Sequence, residues 1–271
     1  MSDYNNINNN FGLIYKVDYL KQIATITFNK PEIHNALNLE MIQQLSKYYQ
    51  QVNKDSNIKL LIINANGKHF SSGADLNWMK NVQSCIKTNN TNKAKQQNLT
   101  DAKQLANMLL LLYNLSKPVL CAIQGNVYGG ALGIIACADI VIASNNTQFC
   151  FSEVKLGLAP AIISPFILNA ISPHIAKYRI LTATPFSAKE AYEFGLVHEL
   201  INIIDIPKRI TWHINNINSS GFEGITSSKK LLNKFRPKIS MKTLEPCIKM
   251  ITKLRTSREA QKLIKKFFKQ L

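Results

Sequence analysis

The stretch that most constrains the fold runs from Pro118 to Pro160. It opens on the apolar run Val119 to Ile123, passes the glycines 125, 129, 130 and 133, and continues as an apolar segment ending in Asp139-Ile-Val-Ile. A carboxylate, Glu153, then follows among apolar neighbours. In order this reads as strand, glycine-rich turn, short helix, strand, acid. Glycine lets a backbone approach a ligand, because no Cβ intervenes and positive φ costs little. A helix starting at Gly129-Gly130 aims free N–H groups and the positive end of its dipole at whatever occupies the turn. The expected guest is an anion or a developing oxyanion, with tight strand–helix packing as the alternative reading of the same glycines.

The remaining segments supply an alternating frame. Residues 1–10 are Asn-rich and expected to fray. Leu13 to Val17 and Ile23 to Phe28 read as strands, and Asn38 as the cap of an amphipathic helix over Leu39 to Asn53. Lys59 to Ile63 is apolar on both faces, as a strand in a parallel sheet must be. Residues 83–98 read as a polar loop, and Leu99 to Leu115 as a buried helix ending before Lys117-Pro118. Ser187 and Glu190 make a capping box, Gly195 ends that helix, and Val197 to Leu200 forms a further strand. Residues 205–270 are helical, with breaks at Gly221 and Pro237. This alternation predicts an α/β fold built on crossover connections, with an appended helical part.

Composition narrows the partners. The net charge is +17, and residues 207–271 hold sixteen Lys or Arg against three acids. A basic helical tail suits RNA, an acidic lipid surface or a phosphate-bearing ligand. Asn, Ile and Lys are crowded together throughout, a bias expected of an A/T-rich genome, so part of the lysine excess carries no function. The five cysteines include no CxxC pair, which points to a reducing compartment. No signal-peptide pattern opens the chain, and the longest apolar segment, Ala131 to Ala143, is too short to span a bilayer. A cytoplasmic location is expected.

Several chemistries lack their motifs. The five histidines are scattered without HExxH or a Cys/His quartet, so no metal site is expected. There is no GxSxG elbow, no phosphate-cradling GxxxxGK[ST], and no GxGxxG. What remains is two glycine turns, Phe-Ser-Ser-Gly at 70–73 and Tyr-Gly-Gly at 128–130, each following a strand and opening towards a helix. Parallel neighbouring strands bring such turns to one sheet edge. The N–H groups of Ser72 and Gly130 are then expected to converge on one oxygen, where each donor in a dry site contributes ~3–4 kcal/mol to a transition state. A thioester carbonyl turning into an enolate is the natural guest.

The ordered strings NKPEIHNALN, GKHFSSGADL, AIQGNVYGGALGIIACADIVIA, FCFSEVKLGLAP and FSAKEAYEFGLVHE together resemble the crotonase (enoyl-CoA hydratase/isomerase) superfamily. Within it, SGADLNWMK and SEVKLGLAPAIISPFIL are most similar to bacterial 3-methylglutaconyl-CoA hydratases of leucine degradation. The resemblance implies a crotonase-like ββα spiral core over residues 1–200. It also implies a C-terminal helical region, 201–271, for oligomerisation into a trimer or dimer of trimers and for closure over CoA. It assigns Glu153 as a catalytic acid–base group and Ser72 and Gly130 as oxyanion donors. Ala36, Ala74, Asp75 and Leu76 fall in segments that wrap CoA, and Lys266 and Phe267 match residues that close over it. Trp78, Tyr128 and Gly133 are expected at the acyl pocket. The substrate is then an acyl-CoA, with no cofactor beyond its CoA moiety and no membrane partner. Gly133 stands where classical hydratases carry a first glutamate. The leucine-pathway sequences this chain resembles carry glycine there too, so hydration stays ahead of Δ3,Δ2-enoyl isomerisation by the single Glu153, and both ahead of a non-catalytic CoA- or RNA-binding protein.

Overall fold

A computed structural model of the protein describes residues 4–9, 11–75 and 91–269. The chain opens with three antiparallel strands, β1 (Tyr4–Asn9), β2 (Leu13–Asp18) and β3 (Ile23–Phe28). Helix α1 (Leu39–Lys54) then crosses to β4 (Leu60–Ala65), and α2 (Thr91–Tyr113) precedes β5 (Val119–Ile123). A short strand β6 (Asn126–Tyr128) leads into α3 (Gly130–Ala136), followed by β7 (Ile140–Ser144) and β8 (Gln148–Cys150). Next come α4 (Ser164–Ala170), α5 (Pro173–Thr182), β9 (Phe186–Ser187), α6 (Ala188–Glu193) and β10 (Glu199–Ile201). The chain closes with α7 (Ile206–Asn218), α8 (Phe222–Lys234), α9 (Met241–Arg255) and α10 (Arg258–Phe268).

The main sheet has the order β1-β2-β3-β4-β5-β7-β10, parallel from β3 onward, and β6-β8-β9 form a small second sheet. Parallel strands demand cover on both faces. Ala24, Ile26, Leu61, Ile63, Cys121 and Val141 point into a core shared with α1, α2 and α3. Ile23, Leu60, Ile62, Leu120 and Ile142 point the other way, against Ile206 and Ile214 of α7. The period of two thus divides each strand between two layers. The helices after residue 201 share these cores: Leu244, Ile248 and Ile251 of α9 and Ala260 and Ile264 of α10 belong to the larger one.

Local signals hold where chemistry is local. Asn38 accepts from the Met41 N–H at 2.8 Å, and Ser187 and Glu190 form the reciprocal capping box. Gly195 follows the C-cap Phe194 at φ 80°. Two expectations change. Tyr4–Asn9, expected to fray, pairs with β2 through six residue partners, because an edge ladder needs only backbone groups and tolerates Asn side chains. Helix α2 begins at Thr91, so residues 91–98 continue its apolar half and expose Lys95, Gln96 and Gln97 instead of forming a loop. The rest of that expected loop, 83–90, lies outside the described residues.

Candidate active site

The registers Leu61↔Val119 and Ile63↔Cys121 set the C-terminal ends of β4 and β5 side by side. The two glycine turns therefore zip together beyond the sheet. Phe70 N–H donates to Gln124 O at 2.8 Å, Ser71 N–H to Asn126 O at 3.1 Å, and Tyr128 N–H returns to Ser71 O at 3.0 Å. At Gly73 (φ 94°) a Cβ would stand 3.0 Å from Tyr128 O, so only glycine permits this approach. A third strip joins them: Leu37 N–H donates to Gly73 O at 2.7 Å and Asp75 N–H to Leu37 O at 2.9 Å.

This pattern decides which amides are available. Ser72 N–H is donated to His34 O at 2.9 Å, so the expected Ser72 donor is already engaged and does not serve an oxyanion. Ala74 differs: its neighbours make the bridge to Leu37, which turns its own N–H away from that strip, and the amide has no hydrogen-bond partner among the described residues. Gly130 opens α3, where the first N–H groups have no intrahelical acceptor, and its amide is likewise unpartnered. Ala74 and Gly130 both line a cleft of about 590 Å³, open solvent at its mouth included.

Glu153 lines the same cleft. It begins a single 3-10 turn, Glu153–Leu156, closed by Gly157 and held by Leu158 N–H donating to Glu153 O at 3.0 Å. Helix α10 packs on this turn so closely that a Cβ on Gly157 would lie 3.0 Å from Ala260 Cα. Glu153 Oε2 is sealed from solvent without a hydrogen-bond partner, and burial raises the carboxyl pKa to about 7. Both protonation states are then populated near neutral pH, the condition under which one carboxyl both accepts and donates a proton efficiently. Gly129, at φ 53°, places its Cα side against this acid: a Cβ there would stand 3.3 Å from Glu153 Oε1. Among the described residues that line the cleft, Glu153 is the one carboxylate.

Gly133 does not reach the acyl pocket. It is buried in the middle of α3, and a Cβ there would lie 2.5 Å from Ile163 Cγ2 and 3.1 Å from Leu109 Cδ1. The place of a second acid is filled by hydrocarbon, and Ile163 itself forms cleft wall. Tyr128 is half-buried, its hydroxyl pKa raised by burial, and its side chain is not part of that wall. Ala36 is buried beside the lining residue Leu37, with its N–H donated to Ile33 O at 3.2 Å. Asp75 follows Ala74 without lining the cleft. Lys266 is exposed and Phe267 stacks edge-on with Phe268, so neither reaches the cleft within this chain. Leu76 and Trp78 lie outside the described residues.

Several lining residues were not singled out from the sequence. Leu158 to Ile163 follow the Glu153 turn and line the cleft, as do Leu105 of α2 and Ile251 and Arg255 of α9. Arg255 had a readable signal. It continues the buried stripe Leu244, Ile248, Ile251 at the next position of the same helix face, where a guanidinium is out of pattern.

Comparison with known proteins agrees with this geometry. The profile of the enoyl-CoA hydratase/isomerase family matches residues 19–270. A trans-2-decenoyl-[acyl-carrier-protein] isomerase of Streptococcus mutans is 34% identical over 190 residues, covering 69% of this chain and 68% of the relative. A crotonyl-CoA hydratase of Syntrophomonas wolfei is 28% identical over 215 residues, covering 79% and 78%. The crystal structure of an enoyl-CoA hydratase from Shewanella pealeana superposes with a TM-score of 0.76 at 33% identity, over 96% of this chain and 94% of that one.

Proposed function

The chain belongs to the enoyl-CoA hydratase/isomerase family, and from that premise we propose that it hydrates an enoyl-CoA with Glu153 as the sole acid–base group. The observation that carries the reading is the pairing of one half-buried glutamate, its Oε2 sealed from solvent and its pKa raised to about 7, with two amides in the same cleft that have no partner among the described residues. In its carboxylate form Glu153 takes a proton from water as the water oxygen bonds to C3. The C2–C3 π pair moves towards the thioester, and the enolate oxygen is held by the N–H groups of Ala74 and Gly130. The carboxylic acid just formed then gives its proton to C2, so one water is added and Glu153 returns to its starting state. Such donors act without reorganising as the charge develops. No cofactor beyond the CoA moiety enters these steps.

Isomerisation is the second reading, favoured by Ile163 and Leu109 where a second acid would stand. With no added polar group to hold a nucleophile, Glu153 takes a proton from C2 of a 3-enoyl-CoA and returns it to C4. Turnover of 2-enoyl-CoAs, 3-methylglutaconyl-CoA among them, in ¹⁸O-labelled water separates the two. Hydration gives a labelled 3-hydroxy product. Isomerisation of a 3-enoyl-CoA with no oxygen gained from any 2-enoyl substrate overturns the first reading.

A further inference from the structure

Ala74 keeps an amide without a partner among the described residues while the amides around it are engaged. Ser72 N–H goes to His34 O at 2.9 Å, Gly73 N–H to Ser71 Oγ at 3.2 Å, and Asp75 N–H to Leu37 O at 2.9 Å. In extended strips that bond on alternate sides, a slip of one residue exchanges engaged amides for free ones. The register of 34–37 against 72–75 therefore selects the amide at the cleft. Asn35 belongs to this strip and is fully buried. Its Nδ2 donates to Asn66 O and to His69 O, both at 2.9 Å, and its Oδ1 accepts from the Lys30 N–H at 2.8 Å. Asn35 N–H returns to Lys30 O at 2.9 Å. One side chain thus ties the turn that ends at Asn35 to the segment leaving β4 for the first glycine turn. His34 and Asn35 both hold φ 53°, in the left-handed region that asparagine enters more readily than most side chains.

We infer that Asn35 is a positioning residue for the oxyanion site, holding 34–37 in the register that leaves the Ala74 N–H free. This rests on the reading of Ala74 and Gly130 as donors to the thioester oxygen. Both Nδ2 hydrogens are used, so the buried side chain has no donor left for another arrangement. Asn35 does not line the cleft. Its effect reaches the reaction through the Ala74 amide, where a displacement of about 1 Å is enough to cost ~10²-fold in rate. Lys117 is its counterpart at the opposite edge of the sheet. It is buried, and its Nζ donates to Val52 O at 2.6 Å and to Asp55 O, ahead of β4 rather than beyond it. Each side chain joins two backbone segments, but only Asn35 does so beside the glycine turns.

The test compares Asn35→Gly, Asn35→Asp and Lys117→Met with the unmodified protein. Glycine keeps the positive φ while removing the side chain, and aspartate keeps the shape while removing both donors. The ligands are acetoacetyl-CoA and butyryl-CoA, whose acyl chains are equally long. Acetoacetyl-CoA gives up its C2 proton to buffer, and the electron pair left behind spreads onto the thioester oxygen. Its bound enolate, read by near-ultraviolet absorption, therefore reports on the oxyanion donors, whereas butyryl-CoA carries no such charge. Both Asn35 variants are expected to bind acetoacetyl-CoA ~10-fold or more weaker, with a reduced enolate band, and butyryl-CoA within about threefold of the parent. Their kcat should fall by ~10–10² with KM little changed. Lys117→Met is expected to lower the melting temperature and leave the enolate band as it was. Equal weakening of both ligands by the Asn35 variants, an unchanged band in them, or a band lost as fully in Lys117→Met overturns the inference. So does failure of both Asn35 variants to fold, which would make the residue structural. If the unmodified protein binds butyryl-CoA but holds no enolate, the oxyanion reading itself falls, a result visible before any variant is made.

Discussion

The beginning and the middle of helix α3 use the same residue for opposite ends. Gly129 and Gly130 bring backbone to the cleft, where one lies against the Glu153 carboxyl and the other offers its N–H. Gly133, one turn on, lies against Ile163 and Leu109 so tightly that no side chain fits. The first pair is there for what a missing Cβ exposes, the second for what it lets in. Space also differs within the pair. A Cβ on Gly130 would meet only Leu37 Cδ1 at 3.6 Å, an ordinary contact, whereas Gly129 holds a φ that a side chain rarely adopts. The conformational demand therefore falls on Gly129, and Gly130 can carry a methyl group.

The largest expected effect breaks the comparison at its catalytic end. Glu153→Gln keeps the shape of the turn while removing the base, so kcat should fall by ~10²–10⁴ with CoA affinity little changed. Turnover within a factor of a few of the unmodified enzyme would remove Glu153 from the chemistry.

The same carboxyl should cost stability in a pH-dependent way. Its folded pKa of about 7 lies above the ordinary 4.5, so between those values the folded state binds more protons than the unfolded one. Stability from this group is fully present below about pH 4.5 and is lost as pH rises through 7, by ~3 kcal/mol. Denaturation series at pH 5 and pH 8 should show this loss in the parent and its absence in Glu153→Gln. A loss of the same size in both proteins would place the raised carboxyl elsewhere.

At the packing end, Gly133→Ala should destabilise by ~1–3 kcal/mol through overpacking against Ile163 and Leu109. Gly133→Glu should do worse, since it adds a buried charge to the overlap. Pairing Gly133→Ala with Ile163→Ala, which removes the overlapping Cγ2, should lose less than the sum of the two single losses, as contacting sites are non-additive. Purely additive melting data for the pair would argue against this contact.

The smallest effect on the fold is expected at Gly130→Ala, which has room and gains helix propensity. Stability should change by less than ~1 kcal/mol, in the favourable direction. Turnover should still fall, because the new methyl projects where the thioester oxygen must approach. A variant that unfolds would make Gly130 structural and erase the contrast with Gly133.

Much of the molecule was legible from sequence because its causes are local. Asn38, Ser187 and Glu190 cap their helices through side chains three residues from the amides they bond. The doubly apolar runs at β4 and β5 can only be buried strands, and Glu153 stood out as a lone acid in an apolar setting that burial then made a usable base. The polar opening strand and the polar first turns of α2 escaped, because a ladder partner and a neighbouring helix decide them rather than their own composition. Gly130 was legible as a proposed oxyanion donor, but its partner amide escaped for a sharper reason. Glycine turns announce where backbone comes close, but which N–H remains unpaired depends on what lies alongside: His34 engages Ser72, while Leu37 leaves Ala74 turned towards the cleft. The same holds at Gly133 and Arg255. Sequence shows a missing side chain and a cation on an apolar helix face, and only the packing of Ile163 and the pairing of α2 with α9 decide that one position is full and the other opens onto the cleft. Short-range hydrogen bonding and hydrophobic period are written residue by residue. Which groups are left without a partner is a property of distant segments meeting, and tertiary structure alone determines it.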